Sequence, residues 1–356
     1  MQASRKQKIL SLDDTPENIE VLRHALHADY TIVVALNGAK ALNIMKRDNP
    51  PDLVLLDVMM PEMDGYEVCR RLKAEPSTAR VPIIFVTALN QSGNEAHGLA
   101  LGAVDYIAKP FEPTLVRARV DNQMELKRHR DHLEELVQNR TDALNLTQLV
   151  TIEAMATLAE FRDPETGGHI KRTMNYVATL AEGLSRLPAY WELLTPEYID
   201  LLYRSAPLHD IGKVAVRDKI LMKEGRFTKE EFEEMKHHVE FGSAAIAAAE
   251  RRLGSNSFLH LANEIAATHH EMWDGSGYPK GLKGLEIPVS GRLMALADVY
   301  DALISERVYK KAYSHEKAVE IIMKGRGTHF DPEVVDAFLE VSEKFREISL
   351  DFMDDN

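Results

Sequence analysis

Cysteine is nearly absent from this sequence of 356 residues, which has only Cys69. A lone cysteine cannot form an internal disulfide, and it excludes a metal cage built from thiolates. No apolar run follows the short basic segment Met1 to Gln7, so nothing indicates a secretory signal. We therefore expect a cytoplasmic protein with no membrane insertion.

Positive charge is also in short supply. The chain has 43 Lys and Arg against 56 Asp and Glu, a formal net charge of -13. A chain of this charge repels long polyanions, so no nucleic-acid partner is expected, whereas a small anionic substrate held by metal ions is compatible with it. Hydrophobic residues make up 45% of the chain and charged residues 28%, which indicates a folded protein long enough for two domains.

The first segment, Lys8 to Pro110, alternates short apolar runs with helical stretches. The runs are rich in β-branched residues and nearly continuous, as buried parallel strands are. The predicted strands are Ile9–Leu12, Thr31–Leu36, Leu53–Leu56, Ile83–Val86 and Val104–Ile107. This alternation predicts a doubly wound α/β domain with a parallel five-stranded sheet, of the flavodoxin-like kind, over residues 1–120.

Two helical segments follow. Thr114 to Asp163 contains neither proline nor glycine, and an apolar residue recurs near a heptad spacing, which predicts one long helix with a linker or coiled-coil part at residues 121–150. The recurring residues are Leu126, Leu133, Val137 and Leu144. From Pro164 onward, apolar residues recur at steps of three and four, so residues 151–356 are predicted to form an all-helical domain.

Polar side chains follow the predicted strands of the first domain. Asp13 and Asp14 follow the first strand, Asp57 the third, Thr87 the fourth and Lys109 the fifth. Carboxyl ends of parallel strands form the crevice where ligands bind, so the carboxylates there could hold Mg²⁺ while one of them attacks a phosphoryl donor, with Thr87 and Lys109 on the phosphoryl oxygens. Any one of these acids alone is more often a helix cap.

This pattern resembles the receiver domain of two-component response regulators over about the first 120 residues. The matching motifs are Asp13-Asp14, Asp57-Val58-Met59-Met60-Pro61-Glu62-Met63-Asp64-Gly65, Thr87-Ala88 and Tyr106-Ile107-Ala108-Lys109-Pro110. The resemblance implies that Asp57 is the phosphoacceptor. It also implies that Mg²⁺ is held by Asp14, Asp57 and the Met59 carbonyl, next to Asp13. Tyr106 would be the aromatic switch residue that responds to Thr87.

The helical half carries histidines and carboxylates that suit hard divalent ions without thiolate. The set is Glu165, His169, His209, Asp210, His238, His269, His270 and Asp298, enough for two ions or three. Adjacent ligands on a helix point about 100° apart and suit neighbouring ions, and Asp210 could bridge them. Glu165 and His169 have the spacing of one helical face, although Gly167 and Gly168 are helix breakers. A single histidine is usually structural, as we expect of His237, His260 and His315; the complete set predicts a multinuclear metallohydrolase.

The motifs of this half resemble the HD-GYP domain, a branch of the HD phosphohydrolases that degrades cyclic di-GMP, over about Thr151 to Ser342. They are His209-Asp210-Ile211-Gly212-Lys213 and His269-His270-Glu271-Met272-Trp273-Asp274-Gly275-Ser276-Gly277-Tyr278-Pro279. The resemblance implies that all eight residues of the set are metal ligands, with His238 rather than His237. It implies phosphate contacts for Lys213, Arg307 and Lys310, where Lys310 replaces a common arginine. Gly275 and Gly277 let the loop approach a ligand, so Gly277, Tyr278 and Pro279 are expected to shape the substrate pocket.

Together the two resemblances predict a response regulator with a phosphodiesterase output. A metal-bridged hydroxide, with His209, Asp210 and Lys213 as the catalytic residues, would hydrolyse cyclic di-GMP to pGpG or GMP under control of Asp57 phosphorylation. Expected cofactors are two or three Fe, Mn, Ni, Co or Zn ions and Mg²⁺ in the receiver. Expected partners are a sensor histidine kinase, a second copy through the linker helix, and diguanylate cyclases. The alternatives are another substrate, such as the mixed cGMP-AMP dinucleotide, or a dinucleotide-binding module that recruits partners with little catalysis.

Overall fold

The computed structural model describes residues 6–88, 92–160, 168–223, 225–253, 258–306 and 312–352. Contacts between residues divide the chain into two compact units, Met1–Thr141 and Asp142–Asn356. No helix within the described ranges is both long enough and apolar enough to cross a membrane.

The first unit is built on a five-stranded sheet in which all strands are parallel. The strands are β1 (Lys8–Leu12), β2 (Thr31–Ala35), β3 (Leu53–Asp57), β4 (Ile83–Ala88) and β5 (Asp105–Lys109). They lie in the order β2-β1-β3-β4-β5, and the central strand β3 pairs with β1 and β4. All five predicted strands are present within two residues of their predicted ends, so the doubly wound α/β prediction is confirmed.

Helices cover both faces of this sheet. They are α1 (Pro16–Leu26), α2 (Gly38–Met45), α3 (Gly65–Ala74), α4 (Ser92–Ala100) and the start of α5 (Pro113–Glu160). Alternate residues of β3 supply the two cores: Leu53 and Leu55 pack on one face, and Val54 and Leu56 on the other. Burial on both faces explains why the strands have continuous apolar runs rather than an alternating pattern.

Helix α5 is 48 residues long, close to the predicted Thr114–Asp163. Its first turns belong to the core of the first unit, because Val116, Val120 and Met124 are fully buried. Further along, the heptad-spaced leucines are exposed: Leu126 by 61% and Leu133 by 60%. The helix therefore has an apolar stripe that is not covered within the described residues of this chain.

The second unit is helical, as predicted. Its helices are α6 (His169–Leu184), α7 (Pro196–Ser205), α8 (Asp218–Leu221), α9 (Lys229–Leu253), α10 (Phe258–Thr268), α11 (Val289–Ile304), α12 (His315–Lys324) and α13 (Pro332–Asp351). The core is centred on α6, where the ring of Tyr176 stacks on Phe345 at 4.4 Å and meets Tyr300 edge-on at 5.2 Å. This packing fixes α6, α11 and α13 relative to one another, and α6 and α11 each carry residues of the site described next.

Candidate metal centre

The histidines and carboxylates of the predicted set come from five separate parts of the second unit. His169 is the first residue of α6, His238 lies within α9, and Asp298 lies within α11. The doublet His209-Asp210 lies in a turn, and His269-His270 follow directly after the end of α10. Glu165 lies outside the described residues.

One detail of the sequence prediction is wrong. His209 and Asp210 are not on an α-helix but between two short 3-10 helices, Ala206–Leu208 and Ile211–Ala215. Pro207 favours this arrangement because it cannot donate a helical hydrogen bond. Helix α6 begins at His169, directly after Gly168, which has a φ of 78° and is one of the two helix breakers noted in the sequence.

A close backbone contact places the His209-Asp210 turn against α9. A Cβ on Gly212 would lie 1.9 Å from the carbonyl oxygen of His238 and 2.5 Å from the amide nitrogen of Gly242. Only glycine allows this approach. As a result, Oδ1 of Asp210 lies 3.2 Å from Nε2 of His238.

Seven of the eight predicted ligands form two clusters. Asp210, His238, His269 and His270 form the first, and within each cluster the candidate ligand atoms lie within 4.8 Å of one another. The second consists of His169, His209 and Asp298. Asp210 connects them, because its Oδ1 faces His238 while its Oδ2 lies 3.3 Å from Nε2 of His209. The carboxylate thus lies between the two clusters of candidate ligands.

Hydrogen bonds at the far side of each ring set the tautomers of three histidines. Nδ1 lies 2.9 Å from the Ala206 carbonyl in His209, 2.7 Å from that of Met235 in His238, and 3.0 Å from that of Ile265 in His269. A carbonyl oxygen can only accept, so Nδ1 must donate in each ring. In the neutral imidazole Nε2 then keeps its lone pair, which is the form that binds a metal.

His169 is held differently, by a buried ion pair that the sequence did not reveal. Its Nδ1 donates to Oδ2 of Asp301 at 2.7 Å, and Arg172 donates to the same carboxylate from Nε at 2.6 Å. Asp301 and Arg172 each lie three residues after a predicted ligand, on the same helical face as Asp298 and His169 respectively. That spacing was the available signal, but it is too common on helices to single them out.

The lone pairs of these rings face other acceptors. Nε2 of His169 lies 3.4 Å from Nε2 of His209, and Nε2 of His269 lies 3.5 Å from Oδ1 of Asp210. Oδ1 of Asp210 and Nε2 of His238 and His269 are buried without a hydrogen-bond partner among the described residues. Opposed acceptors are unfavourable unless a cation lies between them. The donor set therefore fits divalent metal ions bound by imidazole and carboxylate.

The electrostatics of the first cluster favour the charge states that bind metal. Burial raises the pKa of Asp210, but the charge of Lys213, whose Nζ lies 2.8 Å away, and the neighbouring His209 outweigh burial and hold the pKa well below its usual value. Burial lowers the pKa of His270 well below its usual value and also lowers that of His269. Asp210 is therefore an anion at neutral pH, and the two histidines are neutral. In the second cluster, burial lowers the pKa of His209, but the charge of Asp210 outweighs burial and raises this pKa.

The loop after His270 is tied to the cluster. The carboxylate of Glu271, which is 1% exposed, accepts the backbone N–H of Lys280 at 2.8 Å and that of Leu282 at 3.0 Å. A Cβ on Gly277 would lie 2.3 Å from the nitrogen of Met272, so glycine is needed there. The ring of Tyr278 stacks on that of His270 with centroids 4.7 Å apart.

Three predicted residues of this loop, Gly277, Tyr278 and Pro279, thus lie beside the first cluster. Lys213 lies next to Asp210. The other two predicted phosphate contacts, Arg307 and Lys310, lie outside the described residues.

The first unit has a smaller cluster at the carboxyl ends of its strands. Oxygens of Asp13, Asp14 and Asp57 lie within 4.8 Å of one another. Nζ of Lys109 donates to Asp13 and to Asp57, at 2.9 Å in both cases. Burial raises the pKa of Asp57, and Lys109 partly offsets this rise.

The other predicted receiver residues are Met59, Thr87 and Tyr106. Thr87 and Tyr106 line one small cavity together with Asp105, and the Met59 side chain is 69% exposed. The ring of Tyr106 is further contacted by the guanidinium of Arg119 at 5.3 Å, which ties the predicted switch residue to α5.

Comparison with known proteins identifies a different domain family in each of the two units. The model of the response regulator receiver domain matches residues 9–121, and that of the HD domain matches residues 153–334. A probable cyclic di-GMP phosphodiesterase of Vibrio cholerae is 47% identical over 98% of this chain and 80% of its own length. A cyclic di-GMP phosphodiesterase response regulator of Xanthomonas campestris is 36% identical over 81% of this chain and 75% of its own length.

One further relative bears on the substrate. A 3'3'-cGAMP-specific phosphodiesterase of Vibrio cholerae is 42% identical over 54% of this chain, which corresponds to 34% of its own length. This similarity covers 193 residues, so it is of the size of the HD domain match alone. The chain belongs to the HD domain family and has a response regulator receiver domain before its HD domain.

Proposed function

We propose that this protein is a response regulator that hydrolyses cyclic di-GMP with divalent metal ions. One observation carries the proposal: two clusters of imidazole nitrogens and carboxylate oxygens meet at Asp210, whose two oxygens face different clusters. Such a set suits two ions of iron, manganese, cobalt, nickel or zinc. The residues that would hold these ions are His169, His209, Asp210, His238, His269, His270 and Asp298, with Glu165 as a proposed eighth.

When bound, two such ions lower the pKa of a water molecule and stabilise negative charge on a phosphodiester during an in-line displacement. The residues of the chain provide the rest. Asp210 would contribute one oxygen to each site, and Lys213, at 2.8 Å from it, would supply a positive charge for a phosphate oxygen. Tyr278, stacked on His270, bounds the space beside the first cluster.

The substrate class follows from the relatives. Those that match most of the chain are named for cyclic di-GMP, which would be opened to linear pGpG, with GMP as the product of a second cut. The relative named for 3'3'-cGAMP makes the mixed dinucleotide a second candidate substrate. A module that binds a dinucleotide without cutting it is the remaining alternative, and the seven candidate ligands gathered in two clusters argue against it.

Neighbouring histidines allow a matched test of catalysis. His238→Ala removes a proposed ligand, whereas His237→Ala removes an exposed neighbour that pairs with Glu240. Full-length protein in Mn²⁺ should convert cyclic di-GMP to pGpG or GMP, and His238→Ala should abolish turnover and lower the Mn²⁺ content while His237→Ala leaves both unchanged. Equal activity of the two variants would refute the ligand assignment, and binding without product would favour the recruiting module.

Regulation is proposed to start at Asp57, phosphorylated by a sensor histidine kinase. The exposed stripe of α5, with Leu126, Leu133 and Val137 between 60% and 65% exposed, suits a second copy of the chain as its partner. A phosphate mimic on Asp57 should change the hydrolysis rate or the oligomeric state measured by light scattering. Leu133→Glu should weaken self-association, while Leu193→Glu, an exposed leucine of the second unit, serves as the control. Identical values with and without the mimic would exclude this control of activity.

A further inference from the structure

Two aromatic rings and a lysine meet beside the first metal cluster. The ring of Phe232 meets that of Tyr278 edge-on with centroids 6.1 Å apart. One turn further along α9, Nζ of Lys236 lies 5.0 Å from the centre of the Phe232 ring and 5.4 Å from that of Tyr278. We call these three residues the aromatic corner.

The aromatic corner is fixed in place on one side. Tyr278 stacks on His270, and its loop is held by the buried carboxylate of Glu271 through two backbone N–H groups. The ring of Tyr278 therefore lies between His270 of the first cluster and Phe232.

The other side of the corner is open. Phe232 is 44% exposed although it is a large apolar side chain. Lys236 pairs with Glu233 at 2.8 Å, but the Glu233 side chain is 68% exposed, and an ion pair that is this accessible to water is weak. Lys236 can thus exchange this partner for a ligand at little cost.

The chemistry of the corner matches a nucleobase. Aromatic rings stack on the face of any base, which gives affinity without selecting the base. An ammonium group can distinguish guanine from adenine. Guanine presents two neighbouring acceptors, O6 and N7, whereas adenine presents N7 beside an amino group that donates. Lysine only donates, so it is matched by guanine and opposed by adenine.

We propose that Phe232, Lys236 and Tyr278 form a guanine-binding subsite, which deepens the proposed function and depends on it for the placement of a phosphate at the metal centre. Phe232 offers its exposed ring to a face of the base, Tyr278 bounds the subsite on the side of the metal centre, and Lys236 donates to O6 and N7. The subsite gives the protein its preference for guanine over adenine in the nucleotide that is bound there.

Binding of GMP and AMP tests the subsite without any turnover. Both nucleotides carry the same phosphate, so their ratio of dissociation constants isolates the base. Calorimetric titration of the full-length protein in Mn²⁺ should show tighter binding of GMP. Lys236→Met, which keeps the apolar stem, should lower this preference about tenfold, and Phe232→Leu should weaken GMP and AMP alike.

Lys317→Met is the matched control, because Lys317 is also a helical lysine paired with a glutamate three residues away, at 2.7 Å. It should leave the preference unchanged. A wild-type protein that binds GMP and AMP equally, or a Lys236→Met variant with the wild-type preference, would overturn the proposal. Correct folding of each variant is checked by its tryptophan fluorescence.

The two proposals fail in different ways. If the protein hydrolyses cyclic di-GMP and Lys236→Met retains the wild-type KM and guanine preference, the subsite is wrong and the proposed function stands. If the protein prefers GMP through Lys236 and cuts no cyclic dinucleotide, the subsite stands and the proposed activity falls.

Discussion

We predict that a substitution in the buried pair of Asp301 and Arg172 lowers both the free energy of unfolding and the affinity for metal. Asp301→Asn keeps the size of the side chain and removes its charge, while Arg172 cannot lose its proton and stays charged. Asp301 is 2% exposed and Arg172 is 4% exposed. Removing one partner of a buried pair costs about 3–5 kcal/mol, and we expect the lower end because Arg172 also donates to Ser305 and to the Phe352 carbonyl.

The pH dependence of this loss has a defined sign. Burial raises the pKa of Asp301, but the hydrogen bonds from His169 and Arg172 outweigh it and hold the pKa below its usual value. A carboxylate of this kind stabilises the fold above its unfolded-state pKa of about 3.9, and the contribution is lost as the pH falls through the lower folded-state pKa. The difference between wild type and Asp301→Asn should therefore be full at pH 7 and should shrink below about pH 4.

Urea unfolding followed by tryptophan fluorescence is the assay for stability. The only two tryptophans, Trp191 and Trp273, both belong to the second unit, so the signal reports the unit that contains Asp301. The measurement is made with a chelator present, so that metal binding does not contribute to the free energy of unfolding. A separate titration of the folded variant with Mn²⁺ should show an affinity about 10–100-fold lower, because Asp301 orients His169.

Asp336→Asn is the matched control. Asp336 makes a two-pronged contact with Arg326 at 2.7 and 2.8 Å, but this pair is about half exposed on both sides. An exposed pair of this kind contributes little, so this variant should unfold like the wild type. If Asp301→Asn also unfolds like the wild type at pH 7 and binds Mn²⁺ as tightly, the role assigned to the buried pair is wrong.

Three further predictions follow from close contacts. Gly212→Ala should lower the amount of bound Mn²⁺, measured by elemental analysis, because the new methyl group pushes the turn away from α9; an unchanged metal content would contradict the contact at His238. Lys109→Met should slow phosphorylation by acetyl phosphate, followed on phosphate-affinity gels, because Lys109 holds down the pKa of Asp57; a wild-type rate would count against this role. Glu271→Gln should raise KM without loss of metal, because one of the two backbone N–H groups that Glu271 accepts would then face the NH₂ group of the glutamine side chain. Steady-state kinetics and metal analysis test this prediction, and an unchanged KM would contradict it.

Much of the fold could be read from the sequence because its signals are local. The runs Leu53–Leu56 and Ile83–Val86 are apolar at every position, which only strands buried on both faces require. The absence of proline and glycine after Thr114 was similarly sufficient for the long helix α5. These features depend on neighbours in sequence, so a single chain is enough to predict them.

The parts that sequence did not predict depend on contacts between distant residues. Asp301 and His169 are 132 positions apart, and nothing local marks Asp301 as the partner of a histidine. The turn geometry of His209-Asp210 depends on Gly212 touching α9, a contact that appears only when the helices pack. The types of the ligands could be inferred from composition and spacing. The groups that orient these ligands can be identified only in the folded structure, because they are distant in sequence.

The opposed acceptors around Asp210 have a consequence for the protein's lifetime in a cell. Each buried polar atom left without a partner costs about 1–3 kcal/mol, and a domain is held folded by only about 5–15 kcal/mol. Newly made copies that meet no cation would therefore open more often and be degraded faster. Metal starvation would then lower the amount of this protein in the cell. The total activity of the protein would follow the supply of metal over the hours of its synthesis and turnover.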